Sequence, residues 1–303
     1  MRTYQVYRVR QLAPLYNGTN EGNCCNGWRT MTFWKITLSY DGTAFHGWQV
    51  QPGLATVQGT LSAVLEKLTG EHVLPQGSGR TDAGVHALGQ VASFALEAPL
   101  PEENLFGALN RSLPQSVRVL RVEEVGEGFH ARHSAMRKSY EYRIFERRMN
   151  AADEERVCSP FVAPYVWSCR WAVDVERMKK AAEMVCGAHD FTSFGASDPD
   201  LTQRQENGVG PNPVKTMYAS TVVREEGLLR YRVTGSGFLH HMVRNLVGTL
   251  VEVGRGSIEV EEMQRILAAR DRTAAGPTAP AQGLFLMQVE YGVGDDVNAG
   301  EKA

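Results

Sequence analysis

Two strand-like runs, VKTMYASTVVRE and LLRYRVTGS, lie back to back around a short turn in the second half of the chain. A connection that short makes its strands antiparallel neighbours, because parallel neighbours need a crossover of a dozen or more residues. A doubly wound parallel sheet is therefore a poor fit. Elsewhere helical and strand periods alternate. FWKITLSYDG reads as a strand ending in a turn at Asp41-Gly42, and TVQGTLSAVLEKLTG places Val57, Leu61, Val64, Leu65 and Leu68 on one helical face, with Thr56 as cap and Gly70 as stop. ALGQVASFAL and SVRVLRVEEV read as strands on either side of a short helix, PEENLFGALNRSL. A second unit opens near Trp171 with the helix DVERMKKAAEMVCG. After the hairpin come the long apolar helix FLHHMVRNLVGTLVEVG, a helix at 258–270 and a last strand, GLFLMQVEY. The expected class is α+β, a mostly antiparallel sheet backed by helices. The two halves resemble each other only coarsely, and no repeat is inferred.

The 303 residues are 43% hydrophobic and 22% charged, a balance that buries a real core in one or two domains. No apolar run reaches the roughly 18 residues of a membrane helix and no secretory leader is visible, so a soluble, cytoplasmic protein is expected. Residues 1–30 lack sustained periodicity and end just before Met31. They read as a disordered extension, and 293–303 as a tail. Five cysteines at unpaired spacings read as reduced thiols. The pairs His130/His133 and His240/His241 have no cysteine or carboxylate at ligand spacing, so no metal is expected.

Net charge is only −2, but it is unevenly spread. From Phe129 to Met149 six basic residues, among them Arg132, Arg137, Lys138 and Arg143, face two acidic ones. Solvated faces are the ordinary reading of such runs. Phosphate binding is the sharper one.

The stretch GSGRTDAGVH, residues 77–86, is poor in hydrophobic anchors and rich in glycine. Were it strand-like, Arg80 and Asp82 would project to the same side, and the guanidinium would keep the carboxylate ionised. An ionised, positioned Asp serves as a nucleophile or a base. An Asx-turn with a surface ion pair fits the same ten residues as well.

GRTDAGVHALGQ resembles the signature of the TruA family of tRNA pseudouridine synthases. The likeness continues through YDGTAFHGWQVQ, TVQGTL, GALNRSLP, FHARHSAMRKSYEYRI, HDFTSF, GFLHHMVRNLVGTLVEVG and DRTAAGPTAPAQGLFL, in order, over about residues 31–291. The resemblance implies the pseudouridine synthase fold, with two similar α/β subdomains around a central cleft, here 31–170 carrying GRTDAG and 171–292 completing the cleft. It implies an isomerase that breaks the N1 glycosidic bond of a tRNA uridine, turns the uracil and rejoins it through C5, at positions 38, 39 and 40 of the anticodon stem-loop. No redox cofactor or nucleotide is called for, and a homodimer is implied. Asp82 takes the essential carboxylate's role by attacking C1′, removing the 2′ proton or adding to C6; all three routes stay open. Arg80 pairs with Asp82 and helps open the stem, Tyr140 stacks on the uracil or assists proton removal from C5, and Arg244 is a second partner for the carboxylate. The basic cluster then has the tRNA backbone as its partner.

Two readings of other classes compete: a tRNA chaperone without turnover, and a carboxylate glycosidase, which would need a second carboxylate that the motifs lack. A synthase acting at other tRNA sites is the alternative within the class. One segment departs from the family pattern. SDPDLTQRQENGVGPNPVKTM looks longer than its usual counterpart and carries Lys215 where Arg is expected.

Overall fold

A computed structural model describes residues 31–150, 152, 154–196 and 212–292. The expectations for residues 1–30 and 293–303, and for most of the long insertion, lie outside the described residues. The strands are β1 (Thr32–Tyr40), β2 (Gln76–Gly77), β3 (His86–Leu96), β4 (Val117–Val125), β5 (Ala135–Glu146), β6 (Trp167–Cys169), β7 (Gly187–Asp190), β8 (Val214–Glu225), β9 (Leu228–Gly235) and β10 (Leu284–Tyr291). They form one sheet in the order β4-β1-β3-β10-β5-β9-β8-β7, with β2 on β3 and β6 on β5. Only the β10–β3 and β5–β6 pairings are parallel. The sheet is thus mixed and mostly antiparallel, as expected.

Five α-helices occur among the described residues: α1 (Val57–Thr69), α2 (Glu102–Ser112), α3 (Val175–Glu183), α4 (Met242–Gly254) and α5 (Glu262–Ala269). The caps of α1 act as its sequence suggests. Thr56 accepts from the Gly59 amide, and Gly70 closes the helix at φ 77°, a left-handed value that a side chain resists. The β8–β9 hairpin turns at Glu226 and Gly227, both with positive φ, which is the handedness that matches strand twist.

Alternation along the strands sorts the sheet into two faces. Trp34, Ile36 and Leu38 of β1, Tyr142 and Ile144 of β5 and Tyr231 and Val233 of β9 are buried. On β5 the opposite parity, Glu141 and Arg143, gathers charge instead. One expectation fails at α4. The run starting at Phe238 was read as helical throughout, but the helix begins at Met242, because His241 takes the left-handed φ of 58° and breaks the register. A helix running through from Phe238 would set His240 and Arg244 four apart on one face; with the start at Met242 they do not form such a pair.

Candidate active site

Asp82 lies in the loop between β2 and β3 rather than on a strand, so the strand-like projection of Arg80 and Asp82 does not occur. Three features shape this loop. The Val85 amide donates to the Asp82 carbonyl, Gly84 turns at φ 77°, and Gly77 sits where a Cβ would come within 2.5 Å of the Trp48 ring. The bend is further held from beneath: Ser78 Oγ donates to Gln90 Oε1, Gln90 Nε2 donates to the Gly79 carbonyl, and Tyr40 and Thr81 hydroxyls meet at 2.8 Å. A glycine-rich loop thereby acquires a fixed shape.

The Asp82 carboxylate is gripped from across the cleft. Arg244 Nη1 donates to Oδ2 at 2.7 Å, while Arg244 Nε donates to the Ala279 carbonyl at 2.8 Å. His241 Nε2 lies 3.3 Å from Oδ2, and His240 Nε2 lies 3.5 Å from Oδ1. Burial alone would raise the Asp82 pKa, but hydrogen bonds from His240 and Arg244 and the charges of His241 and Arg244 hold it below the ordinary carboxylate range. Burial also lowers the His241 pKa, against the pull of Asp82. Arg244 is the dependable positive partner.

The loop, the start of α4 and β5 enclose a cavity of about 270 Å³. That is just under the roughly 300 Å³ at which small-molecule pockets begin, room for about one nucleoside. Asp82, Arg80, Tyr140, Lys138, Arg132 and Arg244 all line it. Tyr140 packs edge-on against Phe238 at 4.9 Å, and burial, with the nearby Tyr40 and Asp82, pushes its hydroxyl well above the ordinary phenol value. It is a neutral phenol at pH 7. Tyr142, two residues on, is separated from it by function of place: its hydroxyl donates to the Pro280 carbonyl at 2.7 Å. Lys138 Nζ donates to the Ser78 carbonyl. Burial and the charges of Arg132 and Lys215 bring its pKa down to about 8.

The four named cations of the basic cluster divide between the cavity and the other face of β5. Lys138 and Arg132 reach the cavity, whereas Arg137 and Arg143 point to the other face of β5. There Arg143 Nε donates to Glu141 Oε1 at 2.7 Å and lies 3.9 Å from the Phe285 ring centre, and Arg137 lies 4.5 Å from that of Tyr218. Glu141, 2% exposed, also accepts from Arg230 and Arg232. Arg143 thus balances a buried carboxylate.

Residues 271–283 position Arg244. Arg272 and Thr278 both donate to Asn245 Oδ1, the Gly276 amide donates to Thr249 Oγ1, and the Ala279 amide donates to the Arg244 carbonyl. Gly248 is the point of closest approach: a Cβ there would stand 1.6 Å from the Pro277 carbonyl oxygen. Gly248→Ala is expected to displace this segment, lowering stability by about 2–3 kcal/mol in a thermal or denaturant melt and weakening the hold of Ala279 on Arg244.

Sequence reasoning missed the approach of His240 and His241 to Asp82. The two segments are about 160 residues apart, and a helical reading of HHMVRN sent the rings to packing positions. Nor could it find the Ala279 carbonyl, since a backbone acceptor has no side-chain signature.

A family model described as tRNA pseudouridine synthase matches residues 36–134 and 181–292. The chain is 50% identical over 257 residues to a Solibacter usitatus protein named tRNA pseudouridine synthase A, covering 85% of this chain and 98% of that one. It is 44% identical over 259 residues to the protein of that name from Moorella thermoacetica, covering 85% and 98%. With that from Thermoanaerobacter sp. strain X514 the identity is 41% over 256 residues, covering 84% and 98%. The chain belongs to the tRNA pseudouridine synthase family, an isomerase family, and its sheet and five helices are the α+β pseudouridine synthase fold. No helix among the described residues is long and apolar enough to cross a membrane.

Proposed function

We propose that this chain isomerises uridine to pseudouridine at positions 38, 39 and 40 of the tRNA anticodon stem-loop, with Asp82 as nucleophile or base. The observation that carries the reading is the 2.7 Å grip of Arg244 on Asp82 inside a cavity with room for about one nucleoside. An ionised carboxylate so placed meets a ribose carbon or a uracil edge only if the nucleotide has left its stack. Arg80, on the rim of the same cavity, is suited to fill the space the base vacates. Tyr140, uncharged, is suited to stack on the uracil and not to act as a ready base.

The reaction is an isomerisation: the N1–C1′ bond breaks, a C5–C1′ bond forms, and the proton lost from C5 is balanced by one gained at N1. It therefore asks for no redox cofactor and no nucleotide. The halves 31–170 and 171–292 form the walls of the cleft in this proposal, and the protein works in the cytoplasm as a homodimer with one tRNA across both subunits, as the family resemblance supports. Arg132 and Lys138 contact the tRNA backbone within the cleft, while Arg137 and Arg143 contribute from outside it. Replacing both Arg132 and Lys138 by Gln is expected to lower the slope of log affinity against log salt by about 0.7–1 per cation removed, read from tRNA binding at several ionic strengths.

The test is site-resolved chemical mapping of pseudouridine in an unmodified tRNA transcript incubated with the wild-type chain, without added metal or nucleotide. Product at 38 to 40 is the expected result. Product elsewhere would overturn the site, and tight binding with no product would overturn the catalytic role of Asp82.

A further inference from the structure

Two histidines share the Asp82 carboxylate with Arg244, whose Nη1 lies 2.7 Å from Oδ2. Their Nε2 atoms stand 3.5 Å from Oδ1 (His240) and 3.3 Å from Oδ2 (His241). Those separations are also near the spacing of ligand atoms around a small metal ion. In a tetrahedral ion with bonds of about 2.0–2.1 Å, neighbouring ligand atoms lie about 3.3–3.4 Å apart.

We propose that Asp82, His240 and His241 form a site for a borderline-soft divalent transition ion, of which Zn²⁺ is the natural choice, that reversibly inhibits the enzyme. One ligand atom from each of the three lies within 4.8 Å of the others. Adjacent residues in a regular strand point apart and in a helix diverge, yet these two rings lie with centres 3.9 Å apart, and the left-handed φ of 58° at His241 is what turns them to the same side. Such backbone geometry is costly for a residue with a side chain and persists where its surroundings enforce it. Two imidazoles and a carboxylate favour Zn²⁺, Cu²⁺ or Ni²⁺ over Mg²⁺ or Ca²⁺. Three protein ligands leave the fourth position open to the cavity, where water or a phosphate oxygen completes the shell.

Arg244 sets the strength of the site. It donates to Oδ2, and its positive charge opposes a cation, so binding is exchangeable rather than structural. An ion there occupies the carboxylate and the space above it. Inhibition follows only if Asp82 is the catalytic group, so that part rests on the proposed function, whereas ion binding does not.

The experiment titrates the full chain, stripped of metal, with Zn²⁺ against a chromophoric competitor and separately with Co²⁺, whose visible absorption reports tetrahedral coordination. Wild type is compared with His241→Gln and with the His240→Ala/His241→Ala double variant, each checked for a native melt. Thiols and the His130/His133 pair are common to all three and cancel. The expected result is one ion more in wild type than in the double variant, an affinity at least tenfold weaker in His241→Gln, and wild-type pseudouridine formation that Zn²⁺ suppresses, Mg²⁺ does not, and a chelator restores. Equal stoichiometry and affinity in all three chains would overturn the site. Zn²⁺ bound at the site without loss of activity would overturn the inhibition and count against Asp82 as catalyst, and failure of metal-free wild type to make pseudouridine would count against the proposed function alone.

Discussion

Asp82→Asn is expected to bind unmodified tRNA within a few-fold of wild type and to form pseudouridine on the order of 10⁴-fold more slowly, or not at all. The size follows from what the carboxylate is asked to do. Loss of an essential reacting group typically costs several orders of magnitude, and 10⁴-fold is about 5 kcal/mol of transition-state stabilisation. Asparagine keeps the shape of the side chain and can still accept from Arg244 Nη1, so the loop held by Gln90, Ser78 and Tyr40 retains its form. The cations proposed to bind tRNA, Arg132 and Lys138, are left in place by the substitution. Gel-shift affinity and single-turnover product formation, measured on the same preparation, separate the two effects. A variant that binds and turns over normally would remove Asp82 from the chemistry and leave its grip by Arg244 as a structural ion pair.

How much of this was legible before the structure depends on the range of each interaction. α1 is announced by its own residues, because Thr56, the apolar stripe and Gly70 are local signals with local causes. The β8–β9 hairpin is legible for the same reason. The central place of β10, parallel to β3 and antiparallel to β5, is not: nothing in GLFLMQVEY names its neighbours, which lie about 200 positions away in β3 and about 150 away in β5. The site shows the same division. The meeting of Asp82 and Arg244 was legible through long ordered motifs, which place distant residues together without geometry. The division of Lys138 from Arg137 and Arg143 was implicit in the alternation of β5, but only the fold says which parity meets the cavity. His240 and His241 were hidden by a single backbone angle, since φ at His241 moves both rings from a helix surface to the carboxylate.

Removing the guanidinium that holds Asp82 should change the pH dependence as well as the rate. With Arg244→Gln, activity at neutral pH is expected to fall on the order of 10²-fold, the scale of losing one preorganised charge partner at a reacting centre. In the proposed reaction Asp82 acts ionised, and its pKa in the folded protein lies below the ordinary range, so wild-type activity is expected to be lost only as pH falls through that depressed value. Without Arg244 the burial that raises the carboxyl acts with less opposition, and the acidic limb of the rate profile moves to higher pH. Stability follows the same sign: the ion pair's contribution is present above the unfolded carboxylate pKa, disappears as pH falls through the folded value, and is missing from the variant at every pH. With side chains 16% and 19% exposed the pair is partly screened, so the neutral-pH loss should be about 2 kcal/mol, below the cost of breaking a fully buried pair. Arg244→Lys supplies the discriminating comparison. Lysine restores the charge but not the fork that meets Oδ2 and the Ala279 carbonyl together, so the pH limb should return most of the way towards wild type while the rate recovers only in part. If rate and limb recover together, charge alone accounts for Arg244; if neither moves when Arg244 is replaced, the carboxylate is tuned by His240 and His241 instead.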